Sequence, residues 1–350
     1  MRAGQIGGQR ALAPGPATMY LTPQASDIIR DASTCTRPVV GEWSQMLIDE
    51  QFRKCVALLW VDVHDPLTGA PKSAPSGTAF FVSVPAGPDK AFLYVVTALH
   101  VVYNSRPYGL LKLRLNLVPG PRPTGSPEFV DLAIAPDAWI EHPTTDVAVA
   151  RMGRLDLSVV DLRYVGIDML ASSNYAEAQR IGVGDEVFFA GLFSPHPGQE
   201  RFQPIVRFGN ISMMPHEKVT VEIIPKTPVA IDAYLIEARS WGGHSGSPTF
   251  IYYPPDRNPG SLLVGGSAPA LLGLVSGHFP VPAHGQYARD SLDSTLGSAN
   301  AGIAVIVPSQ AIIELLMSDD LVEERREVLG REHAQAPSPV APDAAPPPDR

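Results

Sequence analysis

Cysteine is nearly absent. Only Cys35 and Cys55 occur in 350 residues, which excludes the disulfide framework that staples small secreted domains. Cys55 opens the apolar run Cys55-Val56-Ala57-Leu58-Leu59-Trp60-Val61, so a buried thiol is expected there. Charge is scarce too: charged residues are 18% of the chain, with a net charge of −9. No basic block offers phosphates a partner, which speaks against nucleic-acid binding. No run approaches the roughly 18 apolar residues of a membrane helix. The N-terminus lacks the charged-then-apolar pattern of a signal peptide. The expectation is a soluble, cytoplasmic protein with neither nucleic acid nor membrane as partner.

Glycine (30) and proline (36) are abundant, beside 45% hydrophobic residues. A sizeable core cut into short elements by turns fits that mixture. Apolar, β-branched runs recur at 55–63, 77–84, 91–97, 110–117, 130–135 and 146–150. They resume at 185–192, 205–212, 218–224, 231–237, 248–253, 270–277 and 302–307. Each is bounded by Gly, Pro, Asp or Asn, which is strand-and-turn punctuation. The runs do not alternate with long helices, which argues against a doubly wound parallel sheet. Two closed antiparallel barrels or sandwiches are expected, since closure removes exposed edges.

The expected layout is a flexible leader over 1–40, an N-terminal β-barrel over 41–165 and a C-terminal barrel with its helix over 166–330. A disordered Pro/Ala-rich tail over 331–350 completes it. Trp43, Met46 and Leu47 are at helical spacing and predict a short helix ending near Phe52. Ile312, Ile313, Leu316 and Leu321 predict a helix over 310–329, docked on the second barrel.

One stretch organises the rest: Arg239-Ser240-Trp241-Gly242-Gly243-His244-Ser245-Gly246-Ser247-Pro248. Serine is a poor nucleophile unless a base removes its proton as it attacks. The glycines permit a turn that aims several backbone N–H groups at one point. Those of Gly243 and Ser245 are candidates for an oxyanion hole. Read alone, the stretch is equally a plain Gly/Ser turn between strands. His100 stands in the apolar run Tyr94-Val95-Val96-Thr97-Ala98-Leu99-His100-Val101-Val102, where its ring nitrogens need partners. Asp146 stands at the mouth of Val147-Ala148-Val149-Ala150, where a carboxylate is expensive unless donors surround it. Alone, each has an ordinary structural reading: a core histidine and a turn-capping aspartate.

Together, in the order His, Asp, Ser, the three motifs resemble a trypsin-like (chymotrypsin-fold) serine peptidase, in the style of the bacterial HtrA-like domains without a PDZ domain. Arg180-Ile181-Gly182-Val183-Gly184-Asp185-Glu186-Val187, Gly273-Leu274-Val275-Ser276-Gly277 and Gly302-Ile303-Ala304-Val305-Ile306-Val307-Pro308-Ser309 resemble further stretches of that family. The resemblance implies an all-β fold of two antiparallel six-stranded barrels with a C-terminal helix. It implies a serine endopeptidase acting on polypeptides without cofactor or metal. Ser245 would be the nucleophile, His100 the base and Asp146 its orienting acid. Ser276 would support Asp146, and the Ser276–His278 backbone would pair with substrate. Arg239, Ser240, Gly277 and His278 would frame the specificity pocket. With no carboxylate among them, small or aliphatic side chains are expected there, and an acidic one if Arg239 points inward. His244 departs from the usual Asp or Asn before the nucleophile, and Ser247 from the commonest glycine after it. Two alternatives stay open. One is a catalytically silent relative that binds peptides; the other is an esterase elbow using His278 or His284.

Overall fold

The computed structural model describes residues 18–20, 28–30, 48–65, 67–224, 227–239, 242–253, 268–281 and 299–335. The chain is an all-β protein of chymotrypsin-like, two-barrel architecture with helices at its C-terminal end. In the first half, β1 (Thr18–Tyr20), β2 (Ile28–Arg30) and helix α1 (Glu50–Lys54) precede β3 (Val56–His64), β4 (Pro71–Gly87) and β5 (Lys90–Thr97). Helix α2 (Leu99–Ser105) follows, then β6 (Leu111–Asn116), β7 (Phe129–Ile134), β8 (Trp139–Glu141) and β9 (Ala148–Arg151). The antiparallel order is β7-β6-β3-β4-β5-β9-β8. β10 (Val165–Gly166) pairs with β4, β2 with β5 and β1 with β7. Two short strands thus fall inside the stretch expected to be a leader.

Helix α3 (Ser173–Ala178) leads to the second half. There β11 (Glu186–Gly191), β12 (Ile205–Met213), β13 (Lys218–Ile224), β14 (Thr227–Asp232), β15 (Tyr234–Glu237), β16 (Pro248–Ile251), β17 (Ala270–Val281) and β18 (Ala299–Pro308) follow. Six of them close a barrel in the order β11-β12-β15-β18-β17-β16. β13 and β14 form a hairpin outside it. Residues 231–237, expected as one strand, are therefore two, parted at Ala233. The reason is packing: Val219, Ile223 and Ile231 join the core cluster that spans both halves, and β13 lies against α2 of the first half.

The halves are joined by apolar contact. Asp49 caps α1 by accepting from the Gln51 amide at 2.8 Å, which aims Phe52 into the second half. There its ring meets Phe188 at 5.6 Å and Phe250 at 4.8 Å, both edge-on. Burying such a ring contributes roughly 1.5–3 kcal/mol. Trp43, Met46 and Leu47, the other positions of the expected first helix, lie outside the described residues. Cys55 is buried, its thiol donating to the Phe52 carbonyl at 3.5 Å; Cys35 lies outside the described residues.

The single helix expected over 310–329 is two, α4 (Ser309–Leu316) and α5 (Asp319–Gln335). Helix α4 docks on β17 and β18. α5 turns back to the first half, where buried Arg325 donates to the Tyr94 hydroxyl at 3.1 Å and Arg151 pairs with Glu324 at 2.9 Å. No helix among the described residues is long and apolar enough to cross a membrane.

Candidate active site

β5 ends at Thr97, and the chain turns into α2 with Ala98 as its cap. His100 therefore lies in the first turn of a short helix, where backbone N–H groups have no partner within the helix. Asp146 uses that. One carboxylate oxygen accepts the His100 amide at 2.8 Å and the other meets His100 Nδ1 at 2.7 Å. The Ser276 hydroxyl donates to the second oxygen as well. Asp146 is 1% exposed. Burial pushes its carboxyl up, but the charge and ring hydrogen bond of His100, the Ser276 hydroxyl and the His100 amide outweigh this and hold it below its ordinary value. An acid fixed at both oxygens locks the imidazole plane, with Nδ1 as donor and Nε2 facing away.

Ser245 lies on the loop before β16. Its hydroxyl donates to the Ser276 carbonyl at 3.4 Å, and no hydrogen bond joins it to His100 among the described residues. Ser276 thus touches Ser245 through its carbonyl and Asp146 through its hydroxyl. Gly246, at φ +85°, backs onto the other half of the site: a Cβ there would lie 2.1 Å from the Thr78 carbonyl and 3.2 Å from the Ala98 amide. Only glycine lets the loop approach so closely.

Gly243 also has positive φ, +102°. Among the described residues, the N–H groups of Gly243 and Ser245 find no acceptor, while Gly246 donates to the Val275 carbonyl at 2.7 Å and Ser247 to the His244 carbonyl at 2.8 Å. Two uncommitted donors in one tight turn are available to an acceptor from outside the chain.

Thr78, which motif reasoning did not single out, holds this loop from the first half. Its amide donates to the Ser245 carbonyl at 2.9 Å and its hydroxyl to the Gly243 carbonyl at 2.7 Å. The same hydroxyl accepts from the Leu192 amide at 3.0 Å, and its carbonyl accepts from Thr97 Oγ1 at 2.7 Å.

Of the residues expected to frame the specificity pocket, Gly277 and His278 follow Ser276 on β17 at intermediate exposure, and Arg239 is exposed. Ser240 lies outside the described residues, as does His284 of the esterase alternative. His244, beside Ser245, is buried and meets the Phe189 ring edge-on at 5.3 Å. Burial first, then the charges of Arg207 and His278, push its imidazole down to about 3.

That shift makes a prediction. Below about pH 6.5, the ordinary histidine value, the unfolded chain takes up a proton that the folded protein refuses until about pH 3. Stability is therefore lost as pH falls through this window, by about 2 kcal/mol at pH 5 from this group alone. His244→Asn should remove that share: between pH 7 and pH 5 the variant's thermal midpoint should fall less than that of the parent. Equal falls would mean that His244 is protonated in the fold.

No family model matches the chain, and neither does any curated protein. Among solved structures it is similar to the active form of Rv3671c protease from M. tuberculosis, at 18% identity over 89% of this chain and 93% of that one, with a TM-score of 0.40. It is also similar to the inactive form of that protein, at 18% identity over 82% and 95% of the two chains, with a TM-score of 0.38.

Proposed function

We propose that this chain is a serine endopeptidase that cleaves polypeptides through an acyl-enzyme. The observation that carries the reading is the doubly anchored His100–Asp146 pair, tied through Ser276 to Ser245 in a turn with two unengaged N–H donors. A buried carboxylate that fixes an imidazole beside such a turn has a chemical use beyond packing.

In the proposed reaction the Ser245 hydroxyl leaves the Ser276 carbonyl and turns to His100. Its oxygen attacks the scissile carbonyl carbon as its proton passes to His100 Nε2. The oxyanion so formed is received by the N–H groups of Gly243 and Ser245. Collapse expels the amine, which takes the proton from His100. Water then gives a proton to His100 and attacks the ester, releasing the acid and restoring Ser245. Asp146 stays ionised throughout and stabilises the imidazolium that appears in each half of the cycle.

The rival reading is a silent cleft that only holds peptides. It is favoured by the Ser245 hydroxyl resting on the Ser276 carbonyl rather than on the imidazole. Treatment with a fluorophosphonate and mapping of the adduct separates the two. The peptidase reading expects labelling at Ser245 that disappears in His100→Ala. Folded protein that resists the probe would favour the silent cleft.

A further inference from the structure

Arg207 places a half-buried cation close to His244, the neighbour of Ser245, and no carboxylate pairs with it among the described residues. Arg207 sits on β12 directly opposite Phe189 of β11. Opposed residues in an antiparallel pair share a face, and Phe189 is wholly buried in the core of the closed barrel. Ile211, four residues on along β12 and so on the same face, is buried in that core too. Arg207 therefore belongs to the inner face, near the barrel's end. Its Nε is buried and has no hydrogen-bond partner, and no carboxylate pairs with it among the described residues. Among the described residues its ring contact is Phe193, with the guanidinium 5.9 Å from the centroid.

His278 converges on the same place. It lies opposite Ala304 of β18, and Ala304 is buried inside the barrel. Arg207 and His278 both lie close enough to His244 to lower its pKa, and His244 is the neighbour of Ser245. Arg239 adds its charge close to Arg207. A buried Nε without a partner is costly, and a half-buried arginine is still within reach of an anion that arrives from outside.

We propose that Arg207, with His278 beside it, receives a carboxylate side chain of the substrate, so that this protein cuts polypeptides after glutamate or aspartate. The inference rests on the peptidase reading and refines it. The inner-face cation is Arg207 on β12. Arg239, which the motif pointed to, is exposed and acts as a more distant charge. An aliphatic side chain at this place would displace water from the guanidinium and offer it no partner, whereas a carboxylate supplies a charge-assisted, two-pronged one.

The test compares peptides that differ only in the residue before the cut: Glu, Gln, Leu or Lys. The protein should prefer Glu over Gln by about a hundredfold in kcat/KM, the size expected for a desolvated charged pair. Arg207→Gln should collapse that ratio towards one, and Arg207→Lys should keep part of it; circular dichroism checks that both variants are folded. Protein that labels with fluorophosphonate at Ser245 yet shows no acidic preference overturns this proposal and leaves the peptidase reading standing. An acidic preference that survives Arg207→Gln overturns it as well. If Ser245 does not label, the peptidase reading fails. Binding of peptides ending in Glu or Gln, followed by fluorescence anisotropy, then decides the carboxylate site by itself. A tenfold preference for Glu that is lost in Arg207→Gln sustains the site, and equal binding overturns it.

Discussion

Ser245→Ala is expected to lower peptide hydrolysis by on the order of a millionfold while leaving the fold unchanged. The kinetic part follows from the chemistry: without the hydroxyl no acyl-enzyme can form, and His100 has no proton to move. What remains is water attack aided by the Gly243 and Ser245 N–H groups, which are backbone and survive the substitution. The structural part follows from geometry. The hydroxyl makes one long hydrogen bond, 3.4 Å to the Ser276 carbonyl, and Ser245 is only partly buried. Its loss should change stability by less than about 1 kcal/mol. On the proposed reading the three groups act as a unit, so adding His100→Ala to Ser245→Ala should cost little further activity. Turnover and thermal midpoint, measured on both variants, check this. A single variant retaining a hundredth of the parent rate would remove Ser245 from the chemistry.

Asp146→Asn should lower turnover by about ten-thousandfold. Asp146 accepts three hydrogen bonds, from the His100 amide, His100 Nδ1 and the Ser276 hydroxyl. An amide has only one oxygen. If it stays on the His100 amide, its NH2 group faces Nδ1 and the Ser276 hydroxyl, which must both become acceptors. The imidazole then carries its proton on Nε2 and cannot take one from Ser245. The position is 1% exposed, so the mismatch cannot relax into water. Imidazole proton resonances in the folded variant should report the tautomer change alongside the loss of rate. A few-fold drop with the proton still on Nδ1 would show that Asp146 does not orient the base.

Much of this could be read from residue type and spacing. Thirteen apolar runs marked the strands of both halves because turn residues separate them cleanly. His100 and Asp146 stood out because each put a titratable group into an apolar run. Three features were illegible for physical reasons. Leu99–Ser105 forms a helix although Val101 and Val102 favour strands; the helix exists because both valines pack into the core. Thr78 is a small polar residue in a strand, and nothing local marks it as the partner of a loop 165 residues away. Arg207 alternates with exposed Phe208, which reads as a surface arginine until closure of the barrel decides which face is inside. Local pattern gives the element, and only the closed sheet gives the side.

The return of α5 bears on how quickly the protein reaches its working state. Leu321 and Val328 complete the core cluster that β3, β4 and β5 begin, and Arg325 reaches Tyr94 across 231 residues of chain. Contacts of such long sequence separation form late, since the intervening loop must be closed before they reward it. A chain still being synthesised has its His100–Asp146 segment long before the helix that finishes that segment's packing. Ser245 and Thr78, also far apart in sequence, impose the same delay on the turn between the barrels. The order in which distant parts of the chain meet therefore sets the moment at which the proposed site is first assembled.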